Sequence, residues 1–390
     1  MAAHSLSQWL ATSGHTVHVL TSAHQRELAG IECIRENLTV ERHYFAGLYQ
    51  IYQAQNHNAV VKGLWHLHDH HHLTAEAITS SVIQRVRPDL INTHSLQGIG
   101  YNLLNAVAKS EIPCVQTLHD FGFLCINVNR FKDGKECEKH HLPCQYSAQI
   151  KRRYLEKISR LSFWSPSEAL LKAYQPYLPP HAHTEAIPLP LYFSQPEAAP
   201  RIRSNSVHFL YVGQITPWKG VRFLLDVFSS LKKTTPFIVE IIGGGSDLAS
   251  LRETYAKEPW VIFHGKLPPE KIGQHMASAD LLLTPSLWFE NAPLVISQAI
   301  QSVLPVFASR IGGLDELVKD GMTGRLLPAG DKMAWTEALR EVILHPEILD
   351  KWRLATGESK SRFSVDQLGQ RVIELFEKTI GVPVQSPANV

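Results

Sequence analysis

The stretch from Pro285 to Ala299, PSLWFENAPLVISQA, sets a carboxylate, Glu290, and an amide, Asn291, in a polar turn before a helix start. Leu281, Leu282 and Leu283 precede it as a short apolar run, the pattern of a buried parallel strand. Pro293 suits the first turn of a helix, where its missing N–H costs nothing. Val295, Ile296, Ala299 and Ile300 give that helix an apolar side, and Gln298 is expected near Glu290, about two turns along one face. A carboxylate beside free helix N–H groups, at the carboxyl end of a parallel strand, marks where α/β proteins bind phosphorylated ligands. A second segment, YVGQITPWKG from Tyr211 to Gly220, reads as strand, glycine turn, loop and helix start. It places the Lys219 ammonium where it could meet a phosphate, assisted by the helix N-terminus. Taken alone, a solvated lysine at a helix start is the simpler reading.

Strands alternate with helices through both halves, which predicts parallel, doubly wound sheets. In the first half, a helix over Ser5 to Ser13 stops at Gly14 and leads into a strand, Val17 to Leu20. A helix over Ala75 to Val86, a strand over Leu90 to Thr93, a helix over Gly98 to Ala108 and a strand over Pro113 to Leu118 follow. A strand ending near Ser165 runs into a capped helix, SPSEALLKAY. Residues 176–205, rich in Pro, Ala, Ser and His, read as an interdomain linker. The second half supplies strands at Val207–Val212, Phe237–Ile242, Trp260–His264, Leu281–Thr284, Val306–Phe307 and Gly324–Leu327, with amphipathic helices between them. Asp331 caps one helix, and a last helix spans Val365 to Ile380. The expected domains are therefore 1–195, 196–362, and a terminal helix with its tail, 363–390, that crosses back to the first domain. A doubly wound domain normally opens with a strand and a glycine-rich turn. Here Met1 leads straight into the first helix. The expectation is that the first strand is absent, through a misplaced start or its loss, leaving neighbouring strand edges unpaired.

Length and composition bound the function class. At 390 residues the chain exceeds one typical core. Hydrophobic residues are 44% and charged residues 19%, as in ordinary globular proteins, and the net charge of +2 makes no case for nucleic acid. No apolar run approaches the ~20 residues that span a bilayer, and no signal peptide is evident. Five cysteines are too few for a secreted disulfide scaffold, so a cytoplasmic protein is expected.

The landmarks VGQITPWKG, IIGGG, FHGKLPPEKI, ADLLLTPSLWFENAPLVISQAI and SRIGGLDELVKDGMTGRLL follow one another across residues 207–327. In this order and spacing the second half resembles the family 4 glycosyltransferases of the GT-B fold. The first half resembles them more weakly, through GHTVHVLTS, VRPDLINTHS and VQTLHDFGFLC. The resemblance implies two Rossmann-like doubly wound domains with a cleft between them. It implies a nucleotide-sugar donor held by the C-terminal domain. By resemblance Lys219 binds the donor diphosphate and Glu290 contacts hydroxyls of the transferred sugar. Gly213, Gly243 and the backbone of Asn291, Ala292, Pro293, Leu294 and Val295 complete the donor site. Where the family carries an arginine after the glycine, this chain has Gln214, which brings no charge and no guanidinium fork. Where the family carries a second glutamate for the ribose, it has Gln298, whose hydrogen bond is neutral rather than charge-assisted. His119, at the end of an N-domain strand, matches the family histidine that faces the reacting sugar and the leaving phosphate; the bland alternative is a strand-end histidine held by local hydrogen bonds. Asp120 reads as a cap on the next turn.

The implied reaction retains anomeric configuration, with the departing phosphate taking the acceptor's proton. No enzyme nucleophile, cofactor or metal is required. The implied partners are a nucleotide-sugar and a glycan or lipid-linked acceptor, with peripheral membrane contact and a role in cell-surface polysaccharide synthesis. Two further readings stand beside this one. The departures at Gln214, at Gln298 and at the N-terminus fit an impaired member that binds a glycan or partner without transfer. A nucleotide-sugar epimerase on the same fold is a third, against which the motif order argues.

Three other features have two readings each. His66, His68, His70, His71 and His72 in LWHLHDHHHL are expected on a solvated helix face rather than around a metal. Cys125, Cys137 and Cys144, with His140 and His141, sit in one insertion that is either a zinc site or a reduced loop. The basic segment Lys151 to Arg160 reads as a helix that touches anionic lipid or is simply solvated.

Overall fold

A computed structural model describes residues 2–132, 135–137, 140–193, 206–231 and 236–381. The chain forms two units. One contains the chain through Lys132, Cys137–Pro190 and the chain from Leu368; the other contains Leu191–Gln367. The boundary read between residues 195 and 196 lies outside the described residues, as do the end of the linker and the tail after 381.

In the second unit, the leucines at 281–283 are wholly buried, as are Phe209 and Leu210 beside them. Strands that apolar on both faces require cover on both, and the sheet has it. Six parallel strands run in the order Val261–Gly265, Phe237–Ile242, Val207–Val212, Leu281–Thr284, Val306–Ser309, Gly324–Leu327. On one face Phe209, Val239, Ile241, Leu281, Leu283 and Phe307 pack with the helices Val221–Leu231 and Lys332–Leu344. On the other, Leu210, Ile242, Leu282, Val306 and Ala308 pack with Pro269–Ser278 and Leu294–Gln301. The Val221–Leu231 helix buries Val221, Leu224, Leu225, Val227, Phe228 and Leu231, one apolar stripe at helical spacing. Each such side chain contributes roughly 1.5–3 kcal/mol of transfer free energy. Strand order reverses at Val207–Val212, which lies between Phe237–Ile242 and Leu281–Thr284. The loops leaving the carboxyl ends of Val207–Val212 and Leu281–Thr284 therefore emerge side by side at a topological switch point.

The first unit is not wholly parallel: one antiparallel strand joins it. It carries two sheets. Val17–Ser22 pairs in parallel with Leu38–His43, which pairs antiparallel with Gly30–Arg35. Ile91–Thr93, Cys114–Thr117, Leu161–Ser165 and His183–Ala186 form a separate, wholly parallel ladder in that order. Among the described residues, Val17–Ser22 and Ile91–Thr93 each pair along one side only. The strand His183–Ala186 also corrects the linker reading of 176–205, since it is an integral edge of this ladder.

Two surface readings are corrected in the same unit. His70 and His72 are buried rather than solvated. The His70 ring meets Ser147 Oγ at 2.9 Å through Nε2 and the His66 carbonyl through Nδ1, while His72 Nε2 meets the Ala46 carbonyl at 3.0 Å. Neutral imidazoles that find two partners can be buried cheaply. The basic segment is not a continuous basic helix either. The helix Leu142–Leu155 ends midway through it, and Lys151 points inward to donate to the Gly122 carbonyl at 2.6 Å. Burial pushes the Lys151 ammonium down to about 8 and the nearby Asp69 carboxyl up to about 7. No helix among the described residues is long and apolar enough to cross a membrane.

The last helix, Val365–Ile380, docks on the first unit through Leu368, Val372 and Leu375. Thr379 hydrogen-bonds Ser162 at 2.7 Å, and Arg160 donates to the Ile380 carbonyl at 3.2 Å. Gly369 lies against Trp9 so closely that a Cβ would sit 2.5 Å from the indole. Gly369→Val is therefore expected to destabilise the protein by about 1–3 kcal/mol through overpacking. Urea unfolding measures this, and a midpoint equal to that of the parent would refute the docking.

Candidate active site

The two segments singled out for chemistry meet at the switch point. After Val207–Val212 the chain makes a loop, a single short turn at Pro217–Lys219, and a left-handed residue, Gly220 at φ 73°, before the helix begins. A Cβ on Gly220 would lie 1.9 Å from the Pro285 carbonyl oxygen. Leu287 N–H donates to the Trp218 carbonyl at 2.8 Å. With the two backbones held this close, Lys219 Nζ reaches Glu290 Oε1 at 2.5 Å across 71 residues of sequence.

Glu290 is the hub of this arrangement. The same Oε1 accepts from Ser286 Oγ at 2.6 Å and from Trp288 Nε1 at 3.1 Å. Lys219 also stands over the Trp288 ring, 5.2 Å from its centroid. The Glu290 backbone is fixed as well: its carbonyl accepts from Gly313 N–H at 2.8 Å, and a Cβ on Gly312 would lie 2.1 Å from that oxygen. The carboxylate is 9% exposed and the lysine side chain 20%. A charge pair this sheltered is costly to break from one side, because the survivor is left without its partner.

The glycine run after Phe237–Ile242 completes the rim. A Cβ on Gly243 would lie 1.7 Å from the Gly213 carbonyl oxygen, and one on Gly245 would lie 2.2 Å from that of Ile215. Ile215 N–H donates to the Gly244 carbonyl at 3.0 Å. Gln214 keeps an exposed side chain, and its carbonyl accepts from the buried Tyr211 hydroxyl at 2.6 Å. The helix after the turn spans Leu294–Gln301 and has no side-chain cap. Pro293 stands just before the helix rather than inside it, so Glu290 lies in the loop. Gln298 is a buried helical residue, and the expected helix face shared by Glu290 and Gln298 does not exist. Asn291, Ala292 and Val295 are partly buried around the same turn.

Sequence reasoning missed Ser286, Trp288, Gly312 and Gly313 as parts of this site. Ser286 and Trp288 sit four and two residues before Glu290, close enough for one tight turn to fold both donors onto it.

In the other unit, His119 follows Cys114–Thr117, and His94 follows the adjacent strand Ile91–Thr93. His94 Nδ1 and His119 Nε2 are 2.8 Å apart, with the rings stacked. His94 was not singled out from the sequence, although its strand-end position matches that of His119. A small cavity at this place is lined by both rings with Gln97, Tyr101, Asp120 and Phe123. Asp120 accepts from Gly122 N–H at 2.7 Å and closes the turn. Among the described residues, Cys125, Cys137 and Cys144 do not gather into a metal-holding group, and all are free thiols.

Burial, and then the neighbouring His119, push His94 down to about 3, and burial pushes His119 down to about 4. Both rings are expected to stay neutral through pH 5. Unfolded histidine takes up its proton near ~6.5, so the unfolded state binds more protons below that pH. Stability is expected to fall as pH drops from about 6.5 toward 4, by up to roughly 1.4 kcal/mol per pH unit for each ring. Ring NMR titration checks the sign, and midpoints near 6.5 for both rings would refute it.

Comparison with known proteins places this arrangement. Residues 1–190 match the family model Glycosyltransferase Family 4, and residues 195–357 match Glycosyl transferases group 1. The chain is 28% identical over 188 residues to a D-inositol 3-phosphate glycosyltransferase of Nocardioides sp., covering 43% of this chain and 41% of the relative. It is 26% identical over 180 residues to a phosphatidyl-myo-inositol mannosyltransferase of Mycobacterium leprae, covering 45% of this chain and 48% of the relative. The chain thus spans less than half the length of these curated relatives. Its fold is similar to that of a sucrose-phosphate synthase from Thermosynechococcus elongatus, with TM-score 0.75, 16% identity, and coverage of 97% and 92% of the two chains. It is also similar to Anabaena HepE in complex with UDP, with TM-score 0.63, 17% identity, and coverage of 93% and 99%. The two family models together take in nearly all of the sequence, and the chain belongs to the family 4 glycosyltransferases, built as two Rossmann-like domains of the GT-B fold.

Proposed function

We propose that this protein transfers a hexose from a nucleotide-sugar to a glycan or glycolipid acceptor, with retention of anomeric configuration. The observation that carries this reading is the meeting of Lys219 and Glu290 at the switch point, where glycines on three loops let four loops converge. Lys219 is assigned to the donor diphosphate, where its ammonium offsets the charge that builds as the phosphate leaves. Glu290 is assigned to hydroxyls of the transferred sugar, and Ser286 and Trp288 keep its carboxylate aimed. Backbone N–H groups from Asn291 to Val295, at the uncapped helix start, are assigned to phosphate oxygens. Gly213, Gln214 and Gly243 form the nucleotide side of the site, with Gln298 as a neutral ribose partner. The assignment of His119 to the reacting sugar rests on the resemblance of its segment and on its strand-end position.

The names of the relatives support a substrate class. One has inositol 3-phosphate in its name and another has phosphatidyl-myo-inositol, which supports an acceptor, glycan or glycolipid, that carries a phosphorylated polyol. The HepE structures in complex with UDP and UDP-glucose support a UDP-sugar donor. Work at the cytoplasmic face of a membrane, in cell-surface polysaccharide synthesis, fits such an acceptor. The mechanism inferred from the family needs no enzyme nucleophile: the departing phosphate takes the proton of the attacking hydroxyl.

Calorimetry with UDP-, GDP- and ADP-sugars is expected to find one nucleotide class that binds. Lys219→Ala and Glu290→Ala are each expected to lower the transfer rate by about 100–1000-fold, as loss of a charge-stabilising group does, with NMR reporting the anomer of the product. Transfer that survives unchanged in both variants would sink the assignment, as would a failure of every donor to bind.

A further inference from the structure

A second cluster of chemistry-bearing side chains lies on the donor unit, away from the carboxyl edge. Glu240 projects from Phe237–Ile242 on the face covered by the helix Pro269–Ser278, the face that also carries Leu210 and Ile242. Three histidines converge on its carboxylate. His275, from the covering helix, places Nδ1 2.8 Å from Oε2. His208, from the adjacent strand, places Nε2 3.4 Å from Oε1, and His264, from the edge strand Val261–Gly265, places Nε2 3.6 Å from the same oxygen. Ligand atoms of Glu240, His264 and His275 all lie within 4.8 Å of one another, the one such group among the described residues.

The hydrogen-bond pattern does not account for this cluster. Nε2 of His208 and Nε2 of His264 are buried and have no hydrogen-bond partner. His208 Nδ1 faces the Ser278 carbonyl at 3.3 Å, so that nitrogen carries the proton, and Nε2 of the neutral ring presents a lone pair to the carboxylate. Protonating Nε2 of His208 as well would make that ring an imidazolium, and a proton on Nε2 of His264 would set a second N–H against the oxygen that His208 already faces, with His275 on the other oxygen. One divalent cation satisfies the carboxylate and the lone pairs together. The outward Nδ1–H bond to a backbone carbonyl is also the outer contact that metal-bound histidines make.

We propose that Glu240, His264 and His275 form the core of a structural site for a zinc-class divalent metal ion, which His208, 3.4 Å from the Glu240 carboxylate but outside that close group, joins as fourth ligand by turning its ring inward. Three imidazoles and one carboxylate make a nitrogen-rich set that suits zinc; calcium and magnesium prefer oxygen ligands. Metal bonds of about 2.0–2.1 Å bring tetrahedral ligand atoms to roughly 3.3 Å apart, so modest side-chain rotation closes the group of Glu240, His264 and His275, and His208 has the furthest to turn. The ligands are 13–27% exposed, which gives an ion a way in. The ion would join the edge strand Val261–Gly265, its two inner neighbours and the covering helix. It takes no part in sugar transfer and does not depend on that reading.

The test is titration of the untagged, chelator-treated protein with Zn2+ by calorimetry and with Co2+ by its visible absorption. The expected result is one equivalent bound, a tetrahedral Co2+ spectrum, and a melting temperature raised by saturating Zn2+. The His264→Ala/His275→Ala variant is expected to lose all three. Should that variant fail to fold, the near-isosteric Glu240→Gln decides, with at least tenfold weaker binding expected. A His68→Asn/His71→Asn variant is expected to keep the signal, which separates the site from the histidine-rich helix. Absence of stoichiometric binding, or binding kept in full by the variants at 240, 264 and 275, overturns the proposal.

Discussion

The ion pair between Lys219 and Glu290 is the contact that makes a site out of loops. Each residue leaves the carboxyl end of a different strand, and neither strand fixes its side chain. The pair requires the two loops to approach until their backbones touch. That approach is possible only because Gly220 carries no Cβ where one would fall about 2 Å from the Pro285 carbonyl oxygen, and Gly312, on a third loop, comes as close to the Glu290 carbonyl oxygen for the same reason. The glycines are thus a consequence of the ion pair, and the ordered series of motifs along the chain is the sequence trace of one converging geometry. The sheet beneath supplies the rigid frame, since its strands are covered on both faces and have no freedom to shift.

Charge placement follows the same logic. Glu290 holds three donors on a single oxygen, which leaves its other oxygen to a different partner. An exposed carboxylate would wander among rotamers and lose orientation. A carboxylate buried without donors would leave its lone pairs unsatisfied. The lysine, the serine and the indole together keep it aimed, which is what recognition of a hydroxyl group requires.

The fold of the donor unit was legible because its strands are apolar runs bounded by glycine and proline, and its helices carry clear stripes. Val207–Val212, Phe237–Ile242, Leu281–Thr284 and Gly324–Leu327 stand where the pattern put them. The elements that escaped notice lack that contrast. Gly30–Arg35 is exposed along its whole length, so burial imposes no alternation on it. His183–Ala186 is a polar edge strand with one neighbour. The helix Ile348–Ser359 buries Leu349, Trp352, Thr356 and Ser359, and two polar residues in that stripe hide its period. The inward turn of Lys151 and the burial of His70 depend on partners 29 and 77 residues away. No local pattern encodes such contacts. In the site, the family motifs located Lys219 and Glu290 but not their bond to each other, nor the turn that brings Ser286 and Trp288 to the same oxygen.

The His94–His119 contact carries one more consequence. Two neutral imidazoles whose nitrogens stand 2.8 Å apart share a single hydrogen at that junction. If it sits on His94, then His119 must carry its own proton on the far nitrogen, and His94 presents a bare lone pair at its outer end. If it sits on His119, both outer ends reverse. The two rings therefore act as one element with two tautomeric settings, in which the hydrogen-bonding character at one end dictates that at the other.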